Sequence, residues 1–503
     1  MFNHSFPFIA NYITTIANYI TTFELLNMPP SDDLTPSSLL TKQFPFKPTE
    51  SQGRFFDKMN DFLVEKDGLE RYRDAFILKG YAGTGKTTII STLIKVVKKF
   101  GYNAVLLAPT GRAAKVMSNY SKRIALTIHK KIYKQTSDSY SGNFVFERQP
   151  NYHENTLFII DEASMISDDA DFGNRSLLAD LAEYVFEKPG NKLILVGDTA
   201  QLPPVGKEVS PALDKSYLEK NFYMSVVEEE LTEVMRQDEL SGILYNATEL
   251  RNQLSVQKPA IIIKTKSYPD IFRMTGEKLE DGLRYAYDKH GVENTIIITR
   301  SNKAAVQYNQ YIRRVINFSE DELDAGDRLM VVRNNYTVLD EDSPVGFIAN
   351  GDFVELLKIK RTEEMHGFRF ADAVLRLTDF DNQPEFEAKI FLDTLHSPSP
   401  SLNQEDNKKL YESVMEDYFY IKSKKERTET LRKDPYLNAL QVKFAYALTC
   451  HKSQGGQWSA VFIDQGYLPE DQVNSEFIRW LYTALTRATD EVFMMNFHPQ
   501  FFT

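Results

Sequence analysis

The sequence predicts an α/β protein with two separate parallel sheets, a β-hairpin inserted in the first and a small β-barrel with a helical arm inserted in the second. Three observations predict this. Short, almost wholly apolar runs at 75–78, 104–108, 156–160 and 193–196 alternate with helical periodicity, as strands buried on both faces of a parallel sheet do. A second set of the same character follows at 295–298, 444–448, 460–463 and 491–495. Within that second set lies a long interruption whose first part, 328–395, alternates like short antiparallel strands, and whose second part, 403–432, is rich in Glu and Lys at helical spacing.

Taken in order, residues 1–45 read as a flexible leader. ANYITT occurs there twice, at 10–15 and 17–22, without sustained heptads, and Met28 offers an alternative start. The first unit spans 46–214. Its helix 89–100 carries Ile90, Leu93, Ile94 and Val97 on one face, and Gly101 marks its stop. The insert at about 132–155 has Ser139, Ser141, Gly142 and Asn143 between aromatic runs, which predicts a hairpin with an exposed tip. The second unit comprises 215–320 and 441–503, and the barrel insertion spans 321–440. Asn350-Gly351-Asp352 signals a turn in the barrel, and the breakers Pro398 and Pro400 open the arm at about 400–435.

A chain of 503 residues can build several cores without staples. Its one cysteine, Cys450, excludes an internal disulfide and a multi-cysteine metal site, and reads as a buried apolar residue in a reducing, cytoplasmic setting. No stretch resembles a membrane span. Acids outnumber bases 70 to 59, for a net charge of −11, which argues against a generic nucleic-acid coat. The distribution is uneven. Residues 75–137 contain no Asp or Glu and carry +12, leaving −23 on the rest. That segment is expected to be one anion-facing edge, although a solvated basic face would give the same count.

The chemistry begins after the first strand. Gly80, Tyr81, Ala82, Gly83, Thr84, Gly85, Lys86, Thr87 and Thr88 satisfy GxxxxGK[ST] between a strand and a helix. The glycines let backbone amides and the helix N-terminus face phosphates, Lys86 neutralises the terminal phosphates, and the Thr87 hydroxyl suits Mg2+. ATP and magnesium are the implied cofactors. The strand 157–160 then delivers Asp161 for the metal and Glu162 as a general base. The loop and the carboxylates alone leave hydrolysis and phosphoryl transfer both open.

The next strand runs into Gly197-Asp198-Thr199-Ala200-Gln201-Leu202-Pro203-Pro204-Val205-Gly206, and here the sequence resembles the superfamily 1 helicases over about 46–497. The further strings are Ala108-Pro109-Thr110-Gly111-Arg112, Thr127-Ile128-His129, Leu231-Thr232-Glu233-Val234-Met235-Arg236-Gln237, Thr449-Cys450-His451-Lys452-Ser453-Gln454-Gly455 and Tyr482-Thr483-Ala484-Leu485-Thr486-Arg487-Ala488. They are most similar to the RecD and Dda branch, and the Pif-type helicases share much of the pattern.

The resemblance implies two RecA-like motor domains acting as a monomer, and 5′-to-3′ movement along single-stranded DNA with unwinding at duplex junctions. It makes Gln52 a reader of adenine, Gln201 a sensor of the terminal phosphate, and Arg236 and Arg487 arginine fingers. Pro109, Thr110, Arg112, His129, Thr449, His451 and Lys452 become strand contacts, with Lys115 adding charge nearby. In the hairpin, Tyr140, Phe144 and Phe146 are candidate wedge aromatics, and Tyr152 offers a further stacking surface. An RNA or RNA–DNA helicase is the alternative within the superfamily. An ATP-gated DNA-binding protein without unwinding is the alternative from another class.

Overall fold

The computed structural model describes residues 35–64, 73–137, 144–172, 175–234, 241–257, 259–339, 343, 347–379, 383–469 and 473–502. Along the first half run β1 (Asp74–Gly80), β2 (Asn103–Ala108), β3 (Ala125–Thr127), the antiparallel pair β4 (Tyr133–Ser137) and β5 (Phe144–Arg148), and β6 (Thr156–Ile160). A small pair, β7 (Ala170–Phe172) and β8 (Arg175–Ser176), precedes β9 (Lys192–Gly197) and β10 (Ser225–Leu231). Six of these form one parallel sheet in the order β10-β1-β9-β6-β2-β3.

Side chains alternate across this sheet as a two-residue period requires. Phe76, Leu78, Ile159, Ile194 and Val196 meet the helices Glu50–Leu63 and Lys86–Val96 on one face. Ala75, Ile77, Phe158, Ile160, Leu193 and Leu195 meet the helix Leu177–Val185 on the other. Because β1, β9 and β6 are parallel neighbours, their C-terminal ends bring residues 80, 197 and 160 to the same edge of the sheet. That edge is where a doubly wound sheet presents its ligand site.

Further on, β11 (Ile271–Met274) and β12 (Thr295–Thr299) lead into β13 (Arg328–Val331), β14 (Phe353–Met365), β15 (Phe368–Leu377), β16 (Glu385–Phe391) and β17 (Leu440–Phe444). These last five close into a barrel. The helices Gln404–Asp417 and Lys424–Arg432 pack on it through Leu410, Val414 and Leu431, which meet Phe370 and Phe391. The chain then returns through β18 (Ala447–Thr449), β19 (Trp458–Asp464) and β20 (Ala488–Met495). With β11 and β12 they make a second parallel sheet, β11-β20-β19-β12-β18. Two RecA-like parallel sheets, a hairpin in the first half and a barrel with a helical arm in the second are therefore present as the sequence predicts.

The segment limits differ in three places. Within the expected leader, Pro36–Gln43 is a helix capped by the Thr35 side chain, and it buries Leu39 and Leu40 with Phe44 and Phe56. The expected change of unit at 214 falls too early. The helix Lys215–Phe222 packs against the first sheet, and β10 is that sheet's edge strand, paired with β1. Glu228, Glu229 and Glu230 made β10 read as polar, but Lys79 pairs with Glu228 and both Arg54 and Lys58 pair with Glu229.

The apolar run 444–448 is the third. It conceals a change of sheet, since Phe444 closes the barrel against Leu329 and Ala447 pairs with Ile297. The barrel thus ends past the expected limit of 440. Among the described residues no helix is long and apolar enough to cross a membrane.

Candidate nucleotide cleft and strand-contact surface

After β1 the chain turns through Gly83 and Gly85, whose φ values of +77° and +84° a side-chain-bearing residue adopts only with strain. Gly85 caps the helix Lys86–Val96, so the first amides of that helix open toward the loop. Thr84 is fully buried and its hydroxyl donates to Tyr81 O at 2.8 Å, while Lys86 Nζ donates to Gly80 O at 2.6 Å and Tyr81 O at 2.9 Å. The Lys86 ammonium is thereby held at the mouth of the loop. Lys86, Thr87 and Thr88 line a cavity of about 860 Å³, shared with Asp161, Glu162, Asp198 and Gln201. From the second half of the chain the same cavity takes Lys289, His290, Thr486, Arg487 and Glu491.

Asp161 stands at the end of β6. Its carboxylate accepts the Tyr120 hydroxyl at 2.8 Å and the Glu162 N–H at 2.9 Å. Burial raises its pKa above the usual carboxylate range, the Glu162 charge adds to the rise, and the Lys86 charge opposes it. Glu162 has φ +52°, a left-handed backbone at a non-glycine position that turns its side chain into the cleft. Asp198, at the end of β9, is likewise raised by burial and lowered by Lys86. Gln201 is 6% exposed, and its Oε1 is buried without a hydrogen-bond partner among the described residues.

Arg487 crosses to this group from the second sheet. It follows the helix Ser475–Leu485 and is 4% exposed. Its Nε donates to Thr483 O at 3.1 Å and its Nη1 to Gly456 O at 3.3 Å, which leaves Nη1 3.7 Å from Glu162 Oε1. Arg236 lies outside the described residues.

The hard oxygen donors Thr87 and Asp161 fit a magnesium ion better than a softer metal. Among the described residues no three of His, Cys, Asp or Glu are grouped so that they could hold a metal ion by themselves. An ion held there would complete its shell with phosphate and water oxygens, as magnesium sites do.

Gln52 departs from its expected place. It is fully buried and forms a capping box with Thr49, and its Nε2 donates to Thr84 O at 3.0 Å. The glutamine braces the phosphate loop from behind rather than lining the cleft. Gly80 and Thr84 also sit behind the lining, where Gly80 is needed because a Cβ there would come within 2.8 Å of Thr84 Oγ1.

The expected strand contacts divide. Pro109 and Thr110 end β2, with the Thr110 hydroxyl capping the helix Gly111–Ser121, and Thr449 ends β18. The two loops meet at Gly455, where an added Cβ would lie 3.1 Å from Thr110 Oγ1 and 2.7 Å from Ala113 Cβ. His451 is exposed on the short helix Cys450–Ser453. His129 packs on the Tyr133 ring, and burial takes its pKa down to about 4, so it is neutral near pH 7. Lys452 donates to Asn350 Oδ1 of the barrel at 2.8 Å.

Arg112 is not on an open surface. Its guanidinium lies 4.1 Å from the Trp458 ring centroid and 4.8 Å from that of Phe353, donates to Gln457 O at 3.1 Å, and stands 3.8 Å from Asp379. It therefore ties the first sheet's helix to the second sheet and the barrel, a use that suits a planar, weakly hydrated cation. Lys115 donates to Thr378 O at 2.6 Å beside the same Asp379, and Lys130 lies 3.7 Å from the buried Asp352.

The +12 segment is consequently not one anion-facing edge. Lys79 pairs with Glu228 inside the sheet, three bases dock the barrel, and Lys131 contacts His153 at 2.7 Å. Acids distant in sequence neutralise bases that a local count leaves unpaired.

Of the wedge candidates, Tyr140 lies outside the described residues. Phe144 and Phe146 fall on β5 opposite Ser137 and Gln135, and their side chains are likewise outside. Tyr152 is 83% exposed just beyond the hairpin. Cys450 is buried, with Sγ 3.4 Å from Trp480 O, and burial raises its thiol to about 12, which leaves it inert near neutrality. Sequence reasoning assigned no role to Asp198, Tyr120, Arg479 or Tyr482. Asp198 had a signal, an acid directly after an apolar strand, and Tyr482 opened a quoted motif; Tyr120 had none.

Residues 66–258 match the family described as an AAA domain, and residues 444–495 match the UvrD-like helicase C-terminal domain. An uncharacterised protein of Acanthamoeba polyphaga mimivirus is 26% identical over 494 residues, covering 84% of this chain and 95% of that protein. The ATP-dependent DNA helicase dda of Enterobacteria phage T4 is 31% identical over 197 residues, 38% of this chain and 41% of its own. The ATP-dependent RecD2 DNA helicase of Deinococcus radiodurans is 24% identical over 425 residues, 83% of this chain and 46% of its own. This chain thus spans under half the length of either named helicase. Among solved structures, a Pif1 helicase from Bacteroides in complex with ADP-AlF3 and ssDNA overlays with a TM-score of 0.44 at 18% identity, covering 91% of this chain and 95% of that one.

In its matched domains and relatives, the chain is similar to the superfamily 1 helicases. The similarity extends to the RecD/Dda-like kind, and the findings support an ATP-hydrolysing enzyme.

Proposed function

We propose that this chain is an ATP-driven DNA helicase that moves 5′ to 3′ along one strand and separates duplex ahead of it. One observation carries the reading: Lys86, Glu162 and Gln201 from the first sheet share a cavity with Arg487 from the second. Such a site is complete only when the two motors are together, so hydrolysis is tied to their relative position. The loop amides and Lys86 hold the phosphates. Glu162 accepts a proton from the attacking water, and Gln201 orients it. Arg487, with Arg236 as a second finger, neutralises charge that develops on the transferring group, an effect worth about a thousandfold or more in rate. Thr87 and Asp161 would hold a magnesium ion, which would supply further charge neutralisation on the phosphates.

When that charge leaves the cleft, Arg487 has less to attract it and the motors can separate. Thr110 and Thr449, at the ends of β2 and β18, would then alternate their grip on the strand, with His451 beside them. Directionality rests on the RecD/Dda-like resemblance, and duplex separation on the β4–β5 hairpin as the wedge.

Unwinding of forked, 5′-tailed and 3′-tailed duplexes tests this, with Lys86→Ala and Glu162→Gln as inactive controls. Activity on the 5′-tailed and forked substrates is expected. Unwinding of only the 3′-tailed duplex would overturn the polarity, and stronger ATPase activation by single-stranded RNA than by DNA would overturn the choice of track.

A further inference from the structure

We propose that the Tyr482 hydroxyl is a positioning group through which the second motor sets both the phosphate loop and the Gln201 segment of the first. This rests on the reading of the cleft as the site of ATP hydrolysis. Tyr482 lies on the helix Ser475–Leu485 and is 1% exposed. Its hydroxyl donates to Asp198 Oδ2 at 2.6 Å and accepts the Ala82 N–H at 2.9 Å. One oxygen on the second motor therefore joins two strand ends of the first, the loop after β1 and the loop after β9.

The same helix, with Gln454 just after the short helix Cys450–Ser453, holds the rest of that second loop. Arg479 Nη1 donates to Thr199 O and, at 3.4 Å, to Gln201 O. Thr483 Oγ1 accepts the Leu202 N–H at 2.9 Å, and Gln454 Nε2 donates to Leu202 O at 2.8 Å. Every one of these contacts crosses between the motors. The helix that grips residues 198–202 leads directly to Arg487, so the distance from Gln201 to the finger is set by a single rigid element.

A buried carboxylate and a half-buried amide that share one hydroxyl are sensitive to its loss, because Asp198 cannot turn to water and the Ala82 N–H loses its acceptor in the loop. Asp198 also lies within the field of Lys86, which pulls its pKa down against burial. A shift of Asp198 therefore changes the potential at the lysine that meets the terminal phosphate. Separation of the motors breaks the Tyr482 contacts at the same moment that it withdraws Arg487. The loop and the finger are thus released together.

Tyr482→Phe keeps the ring and removes only the hydroxyl. Amide hydrogen exchange should accelerate by about tenfold or more in segments 80–86 and 197–203, with β6 and β12 unchanged. In steady-state ATP hydrolysis with single-stranded DNA, kcat should fall by about tenfold while KM for ATP moves by less than about threefold. Asp198→Asn leaves the tyrosine in place and weakens its acceptor, and it should accelerate exchange in the same two segments. Faster exchange throughout the chain in both variants would mark Tyr482 as a packing residue, and unchanged exchange with unchanged kcat would remove its role. If the wild-type chain hydrolyses no ATP, the functional reading fails while the exchange pattern still decides this link.

Discussion

Arg487 Nη1 of the second motor lies 3.7 Å from Glu162 Oε1 of the first, although 325 positions separate the two in the chain. The contact places a cation beside the carboxylate proposed to accept a proton, in the cavity that also holds Lys86. Replacing Arg487 by Ala is expected to lower strand-stimulated kcat by about a thousandfold with a much smaller change in KM. Arg487→Lys should rescue little of it, since Nε and Nη1 are both bonded to backbone carbonyls in a geometry lysine cannot copy. Steady-state ATPase assays check both. Glu162→Gln should retain nucleotide binding and lose about a hundredfold or more in kcat.

Asp379 anchors the barrel to the first motor through Arg112 and Lys115. Asp379→Ala leaves two cations at that contact with one fewer counter-charge. A loss of about 1–3 kcal/mol, measured by denaturant unfolding, is expected. Nucleotide binding should persist, because none of the three residues lines the cleft.

Gly455 is where the loops carrying Thr110 and Thr449 approach. Its φ of +73°, and the 2.7 Å at which an added Cβ would meet Ala113 Cβ, oppose any side chain there. Gly455→Ala should lower the thermal midpoint and weaken binding of a fluorescent single strand.

The buried Asp352 supplies a pH dependence. Burial pushes its pKa from 3.8 to about 6, more than Lys130 pulls it down. The folded protein holds this proton more tightly than the unfolded chain does, so the group's contribution to stability is greatest below pH 4 and is lost as pH rises to 6. Asp352→Asn removes this loss. The thermal midpoint of the variant relative to wild type is expected to rise between pH 4 and 6.5, by the equivalent of about 1–3 kcal/mol.

The wedge reading concerns β5. Replacing Phe144 and Phe146 by Ala should reduce unwinding and spare strand-stimulated ATP hydrolysis. Equal loss of both activities would identify them as core residues instead.

The phosphate loop was legible because its constraints are local: two glycines at positive φ, a lysine and a threonine at a set spacing between a strand and a helix. The carboxylates after β6 and the parallel sheets were legible for the same reason, since short apolar runs and their flanking polar residues are contiguous. The edge strand β10 was not, because three glutamates made it look solvent-facing and their partners are remote in sequence. The end of the barrel was hidden in the apolar run 444–448, where both sheets need the same kind of residue.

By itself, the sequence determined the type of each core, the nucleotide loop, the acids that follow it and the family that the chain resembles. The tertiary structure decided what each charge and hydroxyl does. Arg112 and Lys115 hold a barrel instead of facing open solvent, Gln52 braces a loop instead of lining the cleft, and Tyr482 reaches a carboxylate and an amide that no spacing predicts. The physical reason is that backbone preferences act over a few residues, whereas a buried polar group takes its partner from whatever the packed chain brings within hydrogen-bond distance.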